Sequence, residues 1–347
     1  MGNFPKTLTL SELARQAGVS KTVVSVVVNR KENRNIRVSE KKRQEILRLI
    51  ERYRFVPTKS ARELASRRTN TIAIIFHQLT PYFSFLVEQL QKKAFEKNME
   101  IMPYITEGRG DREEEYLSLM RDRRVDGIII AAITEGSVAR YVKFSSPPYN
   151  LKIVVINEPI GKIPSVHFDE MSAGRLAAQH LVEIGCRSLC CFGPAQESGR
   201  TRGFLKYACE QGITDLKTIP AENNSSGTFS EGRKLAEKLL SLKKPPDGVF
   251  ANNDLYAAAL LQKVLEHGYR VPKDMAIVGC DNTEVCLYAK PTLTSIDTNA
   301  PLAAETALAK LLDVITGKPV RPLHTKIPVR LVVRESTTGR LSPAEEE

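Results

Sequence analysis

From Thr71 onward, short β-rich runs alternate with segments of helical periodicity, and this alternation restricts the possible folds more than any other feature of the chain. Strands that alternate with helices predict parallel sheets covered by helices on both faces. The predicted strands are too many for one small sheet, so we expect two similar lobes. The predicted strands cover residues 71–76, 100–105, 127–132, 152–157, 188–193, 248–251 and 276–281, and helices are predicted over about 82–97 and 112–123.

Ligands of such sheets bind at the carboxyl ends of the strands. Polar or aromatic dipeptides follow three of the predicted strands: Tyr82-Phe83, Asn253-Asp254 and Asp281-Asn282. Arg200 lies in a loop of Gly, Ser and Arg residues that enters a helix. Asn, Asp and Arg side chains can form several hydrogen bonds to a polyhydroxyl ligand, and aromatic rings can stack on its faces. Each residue taken singly is more often a helix cap or a turn former, but together they predict a binding pocket.

Residues 20–29 have the pattern of a short helix with one apolar face. Val24, Val27 and Val28 recur at helical spacing, which predicts that this face packs on a small core. The other side chains of the helix are able to hydrogen-bond bases or phosphates, or to touch thymine methyl groups. They are Lys21, Thr22, Val23, Ser25, Val26 and Asn29.

Another short helix precedes this one. Thr9-Leu-Ser-Glu12 is a capping box that begins the helix, Gly18 ends it, and Ser20 caps the helix that follows. Two short helices joined by a tight turn that contains Gly predict a helix-turn-helix, whose second helix enters the major groove of DNA. From spacing alone, an ordinary helical hairpin is an equal alternative.

The distribution of charge favours the DNA-binding interpretation. The chain has a net charge of +11, and residues 1–70 account for all of it, with 17 basic and 6 acidic side chains. The remaining residues hold 34 side chains of each sign. Such segregation is typical of a domain that binds phosphates.

A third helix and a basic stretch complete this segment. Ser39 is predicted to cap the helix, and its apolar stripe comprises Ile46, Leu49, Ile50 and Tyr53. Residues 58–68 are basic and contain one large apolar side chain, Leu64. A helix this short is marginal in isolation. The stretch is therefore either a flexible linker or a conditionally folded helix that inserts Leu64 into the minor groove.

Other classes of protein have no support in the sequence. No apolar run approaches the roughly 20 residues of a membrane span, and the N-terminus lacks the layout of a secretory signal. The six cysteines lack the paired spacing of zinc sites, so we expect reduced thiols in a cytoplasmic protein, with no metal and no cofactor. The motifs of serine hydrolases, P-loop proteins, zinc proteases and dinucleotide-binding domains do not occur, so no enzymatic activity is predicted.

Several motifs occur in a characteristic order along nearly the whole chain. The N-terminal motifs are Thr9-Leu-Ser-Glu-Leu-Ala14, Ala17-Gly-Val-Ser-Lys-Thr-Val-Val-Ser25, Tyr53-Arg-Phe-Val-Pro57 and Ala61-Arg-Glu-Leu-Ala65. The later motifs are Arg200-Thr-Arg-Gly-Phe204, Asn253-Asp254, Val271-Pro272, Val278-Gly-Cys-Asp281 and Leu293-Thr-Ser-Ile296. Together they resemble the lactose-repressor/galactose-repressor family of bacterial transcription regulators.

This resemblance implies a homodimer that binds a near-palindromic operator in double-stranded DNA, with paired hinge helices that insert Leu64 and bend the DNA. It also implies a core similar to periplasmic sugar-binding proteins, with a small-molecule effector, a sugar or a related metabolite, between two lobes joined by three crossovers. By position, the base-reading residues are Lys21, Thr22 and Val26, and the DNA-backbone contacts are Thr9, Ser20, Ser25 and Asn29. The effector contacts are Arg200, Asn253 and Asp281, with Phe83 as a contact from the first lobe.

The sequence departs from the family pattern at several positions. Val26 stands where Arg is common and Val23 where Thr is usual, which removes a guanine contact and a phosphate hydrogen bond. Gly227 stands where an aromatic residue often stacks on the ligand, with Phe229 two residues later. The C-terminus has no apolar heptads for a tetramerising coil, so we expect a dimer.

The predicted fold is an N-terminal all-α helix-turn-helix headpiece followed by an α/β periplasmic-binding-protein-like core of two doubly wound parallel-sheet lobes. The predicted boundaries are 1–57 for the headpiece, 58–70 for the hinge, 71–340 for the core and 341–347 for an acidic tail; lobe 1 covers about 71–168 and 299–327, and lobe 2 about 169–298 and 328–340. The predicted function is a cytoplasmic, nucleoid-associated repressor under effector control. The alternatives are a regulator controlled by a partner protein, with a vestigial cleft, and a solute-binding protein.

Overall fold

The computed structural model describes residues 9–28, 38–53, 55, 68–131, 136–156, 159–193, 198–221 and 227–339. The chain forms two compact units, residues 1–70 and residues 71–347. The predicted DNA contacts Asn29 and Leu64 lie outside the described residues, as does the acidic tail.

In its described residues, the first unit contains three helices around one small core. They are α1 (Leu10–Ala17), α2 (Lys21–Val28) and α3 (Glu40–Arg52). Thr9 and Glu12 form the predicted capping box at α1, and Gly18 ends this helix in the left-handed conformation at φ 62°. The apolar faces of the helices meet in a cluster whose buried members are Leu13, Ala14, Ala17, Val24, Val27, Ile46 and Phe55. The predicted helix-turn-helix arrangement is therefore present, with α3 packed against both of its helices.

The second unit contains two six-stranded sheets. The elements of its first half are β1 (Thr71–Phe76), α4 (Pro81–Glu96), β2 (Glu100–Ile105), α5 (Gly110–Asp122), β3 (Gly127–Ala131), α6 (Ser137–Ser145), β4 (Ile153–Ile156) and β5 (Ser165–Phe168). Those of the second half are α7 (Glu170–Glu183), β6 (Ser188–Phe192), α8 (Gly199–Glu210), β7 (Asp215–Ile219), α9 (Phe229–Leu240), β8 (Gly248–Ala251), α10 (Asp254–Glu266), β9 (Ala276–Cys280), α11 (Val285–Tyr288) and β10 (Thr294–Asp297). The chain then continues through α12 (Ala300–Thr316), β11 (His324–Ile327) and β12 (Arg330–Val332).

The two sheets have the same construction. The strand order is β11-β5-β4-β3-β1-β2 in the first and β12-β10-β9-β8-β6-β7 in the second. All neighbouring strands are parallel except β10 and β12, which run antiparallel. The chain passes between the sheets three times, after β5, after β10 and after β11. The predicted pair of doubly wound lobes is confirmed.

Helices bury both faces of each sheet, which explains why the central strands are uninterrupted apolar runs. In the first lobe, α4 and α12 cover one face, and α5 and α6 cover the other. In the second lobe, α9 and α10 cover one face, and α7 and α8 the other. The loops at the carboxyl ends of the strands are left to form a site.

Candidate functional site

Polar side chains converge at the carboxyl edge of the second sheet. Asp281 directly follows β9, Asn253 comes two residues after the end of β8, and Arg200 lies in the first turn of α8, which follows β6. Glu170, the first residue of α7, lies beside them. Three of these four residues were predicted as effector contacts, and Glu170 was not.

Arg200 is the centre of this cluster. Its side chain is only 14% exposed, and its Nε and Nη2 atoms donate to the two carboxylate oxygens of Glu170 at 2.7 and 3.0 Å. Nη1 donates to the carbonyl oxygen of Asn252 at 2.6 Å, and Nη2 lies 3.7 Å from a carboxylate oxygen of Asp281. This bidentate pairing holds the guanidinium plane in one orientation, because Arg and carboxylate match in geometry.

Asp281 is held in an unusual backbone conformation. Its φ is 102°, and its N–H donates to the carbonyl oxygen of Ile296 at 2.8 Å. The side chain is 12% exposed. Burial raises the pKa of Asp281 to about 8, against the opposing effect of Arg200 and with a further increase from Asp254. The acid therefore holds its proton into the neutral range when nothing else is bound nearby.

Asp254 stabilises the segment that follows Asp281 through hydrogen bonds. It is 2% exposed and accepts hydrogen bonds from the Thr283 backbone and hydroxyl, at 2.7 and 2.9 Å, and from the Ser295 hydroxyl at 2.6 Å. A Cβ atom at Gly279 would lie 2.5 Å from an Asp254 oxygen, so this strand position has room only for glycine. Asp254 thus connects α10 to the segment that carries Asp281.

Asn253 forms two structural hydrogen bonds within the second lobe. Its Oδ1 caps α10 by accepting from the backbone N–H of Tyr256 at 2.8 Å, and its Nδ2 donates to the carbonyl oxygen of Gly227 at 3.1 Å. One amide hydrogen and one oxygen lone pair remain for a ligand. Direct effector contact by Asn253 stays a prediction.

Tyr82 and Phe83 are neighbouring aromatic residues near the start of α4, in the first lobe. The Phe83 ring stacks with Phe76 at 6.0 Å between centroids and meets the His77 ring edge-on at 4.9 Å, so it belongs partly to the core. The Tyr82 ring lies edge-on to Phe168 at 5.9 Å.

The Tyr82 hydroxyl is directed toward the charged cluster of the second lobe. Burial raises the pKa of this phenol well above its usual value, with further effects from the charges of Asp281, Arg200 and Glu170. Its oxygen is buried and has no hydrogen-bond partner among the described residues. The cluster therefore lies where the two lobes meet.

The predicted DNA contacts of the first unit differ in their surroundings. Lys21 and Thr22 are exposed and Ser25 is half-buried. Thr9 and Ser20 are exposed, but their hydroxyls already accept from backbone N–H groups as helix caps, from Glu12 at 3.3 Å and from Val23 at 3.4 Å.

Val26 is only 8% exposed, although helical geometry places it roughly 200° around α2 from Val24, which belongs to the buried cluster of the three helices. A base contact by Val26 stays a prediction.

Sequence reasoning missed Glu170 and the structural role of Gly227. Glu170 follows β5, a four-residue strand that was not predicted, so its place at a strand end was hidden. The sequence identifies Gly227 only as the loss of a stacking aromatic, whereas in the structure its carbonyl oxygen accepts a hydrogen bond from Asn253.

In the described part of the chain, the His, Cys, Asp and Glu side chains form no group of three or more that is arranged to hold a metal ion. None of the helices in this part combines the length and the apolar character needed to cross a bilayer.

Two family models match this chain. Residues 9–58 match that of bacterial regulatory proteins of the lacI family, and residues 178–337 match a periplasmic binding protein-like domain. The first match covers the three helices and the second covers most of the second lobe.

Curated and solved relatives extend over the full length. The NTD biosynthesis operon regulator NtdR of Bacillus subtilis (strain 168) is 28% identical over 95% of this chain and 99% of its own. A complex of the transcriptional regulator CelR with cellobiose is 25% identical, with a TM-score of 0.67 over 95% of this chain and 99% of that one. A lac repressor dimer bound to operator and an anti-inducer is 24% identical and has the same fold, with a TM-score of 0.83 over 96% of this chain and 99% of that one. The chain therefore combines a helix-turn-helix domain of the lacI family of bacterial regulatory proteins with a periplasmic-binding-protein-like domain, and it is similar over 95% of its length to a transcription regulator.

Proposed function

We propose that this protein is a repressor that binds a near-palindromic operator as a homodimer and is controlled by a small molecule between the lobes. The observation that carries the proposal is the exposed polar face of α2, with Lys21 and Thr22, in a unit that holds the whole positive excess of the chain. Phosphate contacts from such a unit supply most of the affinity for DNA. A protein of this kind acts in the cytoplasm by binding alone, without a catalytic step.

The cluster around Arg200 supports an effector site. Buried Arg, Glu and Asp side chains meet a phenol from the opposite lobe, as expected for a site that closes on a polar ligand. The relative CelR was solved with cellobiose, which supports a sugar or a related metabolite as the class of ligand. The lac repressor dimer was solved on its operator, which supports a dimer on DNA.

Apolar side chains on the surface of the core are consistent with a dimer. Phe95 on α4 is 79% exposed, and Leu287 and Tyr288 on α11 are 55% and 74% exposed. A second copy of the chain would remove this apolar surface from water.

Control of DNA binding requires a difference in ligand affinity between two arrangements of the lobes. Only that difference shifts the equilibrium, typically by about 1–3 kcal/mol. The three crossovers between the sheets let one lobe move against the other while the ligand contacts both. Whether the ligand releases or promotes DNA binding depends on which arrangement it prefers.

The experiment that tests the proposal is selection of bound DNA from a random pool at moderate salt, with the full-length protein. We expect a palindromic motif with a flexible base-pair step at its centre, because the insertion of Leu64 from two subunits would favour such a step. The affinity for the selected site should fall with a slope of about −0.9 in log K against log salt for each phosphate neutralised.

The selection is then repeated with cell metabolites. A motif that appears only with metabolites identifies a co-repressor, and one that is lost with them identifies an inducer. Failure to enrich any motif under both conditions contradicts the proposed function. A metabolite-independent motif favours control by a partner protein instead.

A further inference from the structure

All three nitrogens of the Arg200 guanidinium already donate to oxygen atoms of the protein. Nε and Nη2 donate to Glu170, and Nη1 donates to the carbonyl group of Asn252. A ligand carboxylate or phosphate would normally bind the Nε–Nη2 edge through two parallel hydrogen bonds. Because Glu170 occupies that edge, an anionic ligand would have to displace a buried carboxylate to bind there.

Acceptor groups, by contrast, remain open in the same place. Within the described part of the chain, the Asp281 carboxylate accepts no hydrogen bond, and the cation nearest to it is Arg200 at 3.7 Å. The buried Tyr82 hydroxyl oxygen also has no partner among these residues. Both groups are able to accept a hydrogen bond from a ligand donor.

Two acidic side chains, Glu170 and Asp281, lie around one guanidinium, which is already paired with Glu170. In the absence of a ligand Asp281 retains its proton, because its ionisation would bury a negative charge that Arg200 compensates only in part. Buried charges are costly unless an opposite charge compensates them. A ligand that brings one positive charge would compensate the Asp281 carboxylate and favour its ionised form.

We propose that the cleft selects polyhydroxyl ligands that carry an ammonium group, of the amino-sugar class, and rejects ligands that carry a carboxylate or a phosphate. Glu170 is the specificity-determining residue, because it occupies the edge of Arg200 that an anion needs. Asp281 supplies the carboxylate that pairs with the ammonium group. This inference rests on the proposed function, in that it takes the cleft to be the effector site.

Two series of matched ligands, each built on one sugar skeleton, test the proposal by calorimetry on the full-length protein. The probes are glucosamine, glucose, glucuronate and glucose 6-phosphate, and the same four derivatives of galactose. We expect the amine of at least one series to bind at least tenfold more tightly than its neutral parent. The acid and the phosphate should show no measurable binding.

Two variants locate the cause of the selectivity. Glu170→Gln keeps the shape of the side chain but weakens its hold on Arg200, so glucuronate or glucose 6-phosphate should gain measurable binding. Asp281→Asn should abolish the preference for the amine. Glu183→Gln on the same helix is the matched control, because Glu183 is exposed and accepts from Gln179 outside the cluster; it should bind the eight probes as the unchanged protein does. Melting temperatures identify any variant that fails to fold.

The outcomes separate this inference from the proposed function. Equal or tighter binding of the neutral sugar, binding of the acid or phosphate by the unchanged protein, or no binding of either amine overturns the inference. If the protein gives one of these results but still selects an operator, and releases or binds it in response to another metabolite, the proposed function is retained and only this inference is rejected. A gain of acid or phosphate binding in Glu183→Gln would contradict the assignment to Glu170.

Discussion

The carbonyl oxygen of Gly227 accepts a hydrogen bond from the Asn253 amide at 3.1 Å, and the two residues approach so closely that a Cβ atom at position 227 would force the Asn253 side chain to shift. A Cβ atom there would lie 2.6 Å from Nδ2 of Asn253, and the φ of Gly227 is +69°. The glycine that replaces a common stacking aromatic therefore fixes a predicted effector contact and the start of α10.

Gly227→Ala should weaken ligand binding as well as stability. The positive φ alone costs about 1 kcal/mol for alanine, and Asn253 must also move, which disturbs its cap on α10. Gly212→Ala is the matched control, because Gly212 has a φ of +74° and no atom within 4 Å of its Cβ position. Melting temperature and ligand calorimetry should show a loss of stability in both variants and a loss of ligand affinity in Gly227→Ala alone. Equal ligand affinity in the two variants would contradict a role for the Gly227–Asn253 contact.

Arg200→Ala should abolish the effector response and leave operator affinity nearly unchanged. The substitution removes the donor that orients Glu170 and lies beside Asp281, and leaves the carboxylates without their buried cation. The three-helix unit lies in a separate compact part of the chain, residues 1–70. DNA-shift titrations with and without effector measure both quantities. An unchanged effector response would reject the site.

The two-lobed fold was predictable because its central strands are both buried and uninterrupted. The predicted limits of β1, β2 and β8 agree with the structure to the residue. The prediction missed five strands, β5, β7, β10, β11 and β12. These strands are three to five residues long and several are only partly buried, so their sequences show little hydrophobic periodicity.

The site was predictable only in part, for a similar reason. Arg200, Asn253 and Asp281 follow strong apolar runs, so their places at strand ends were visible in the sequence. Glu170 follows a weak strand, and its pairing with Arg200 depends on the tertiary approach of α7 to α8.

Asp281→Asn should stabilise the ligand-free protein increasingly as the pH rises from about 4 to 8. Burial raises the pKa of Asp281 to about 8, whereas an unfolded Asp titrates near 3.9. Between these values the unfolded chain has released its proton and the folded chain retains it, so the free energy of unfolding falls as pH rises. Asn removes this dependence. The charged and titratable groups around Asp281 are Arg200, Glu170, Asp254, Cys280 and Tyr82.

Asp274→Asn provides a control of opposite sign. The hydrogen bond from Arg270 lowers the pKa of Asp274 to about 2, so its contribution to stability is fully present above about pH 4 and is lost only as pH falls toward 2. Melting temperatures at pH 4.5, 6 and 8 should give a constant deficit for Asp274→Asn and a growing gain for Asp281→Asn. A gain in Asp281→Asn that does not change over this range would contradict the raised pKa.

Leu64→Ala should reduce specific operator binding and spare weak non-specific binding. Leu64 lies outside the described residues, so this prediction rests on the basic stretch around it and on the family resemblance. An apolar wedge between base steps costs a few kcal/mol of unstacking, which is offset only by contacts made in the bent complex. Non-specific binding depends on phosphates, which the substitution leaves in place. Shift titrations on the selected operator and on random DNA measure the two affinities, with Leu47→Ala, an exposed leucine of α3, as the control. A parallel loss of both affinities would reject the wedge, because a residue that acts only in the bent complex cannot weaken binding to straight DNA.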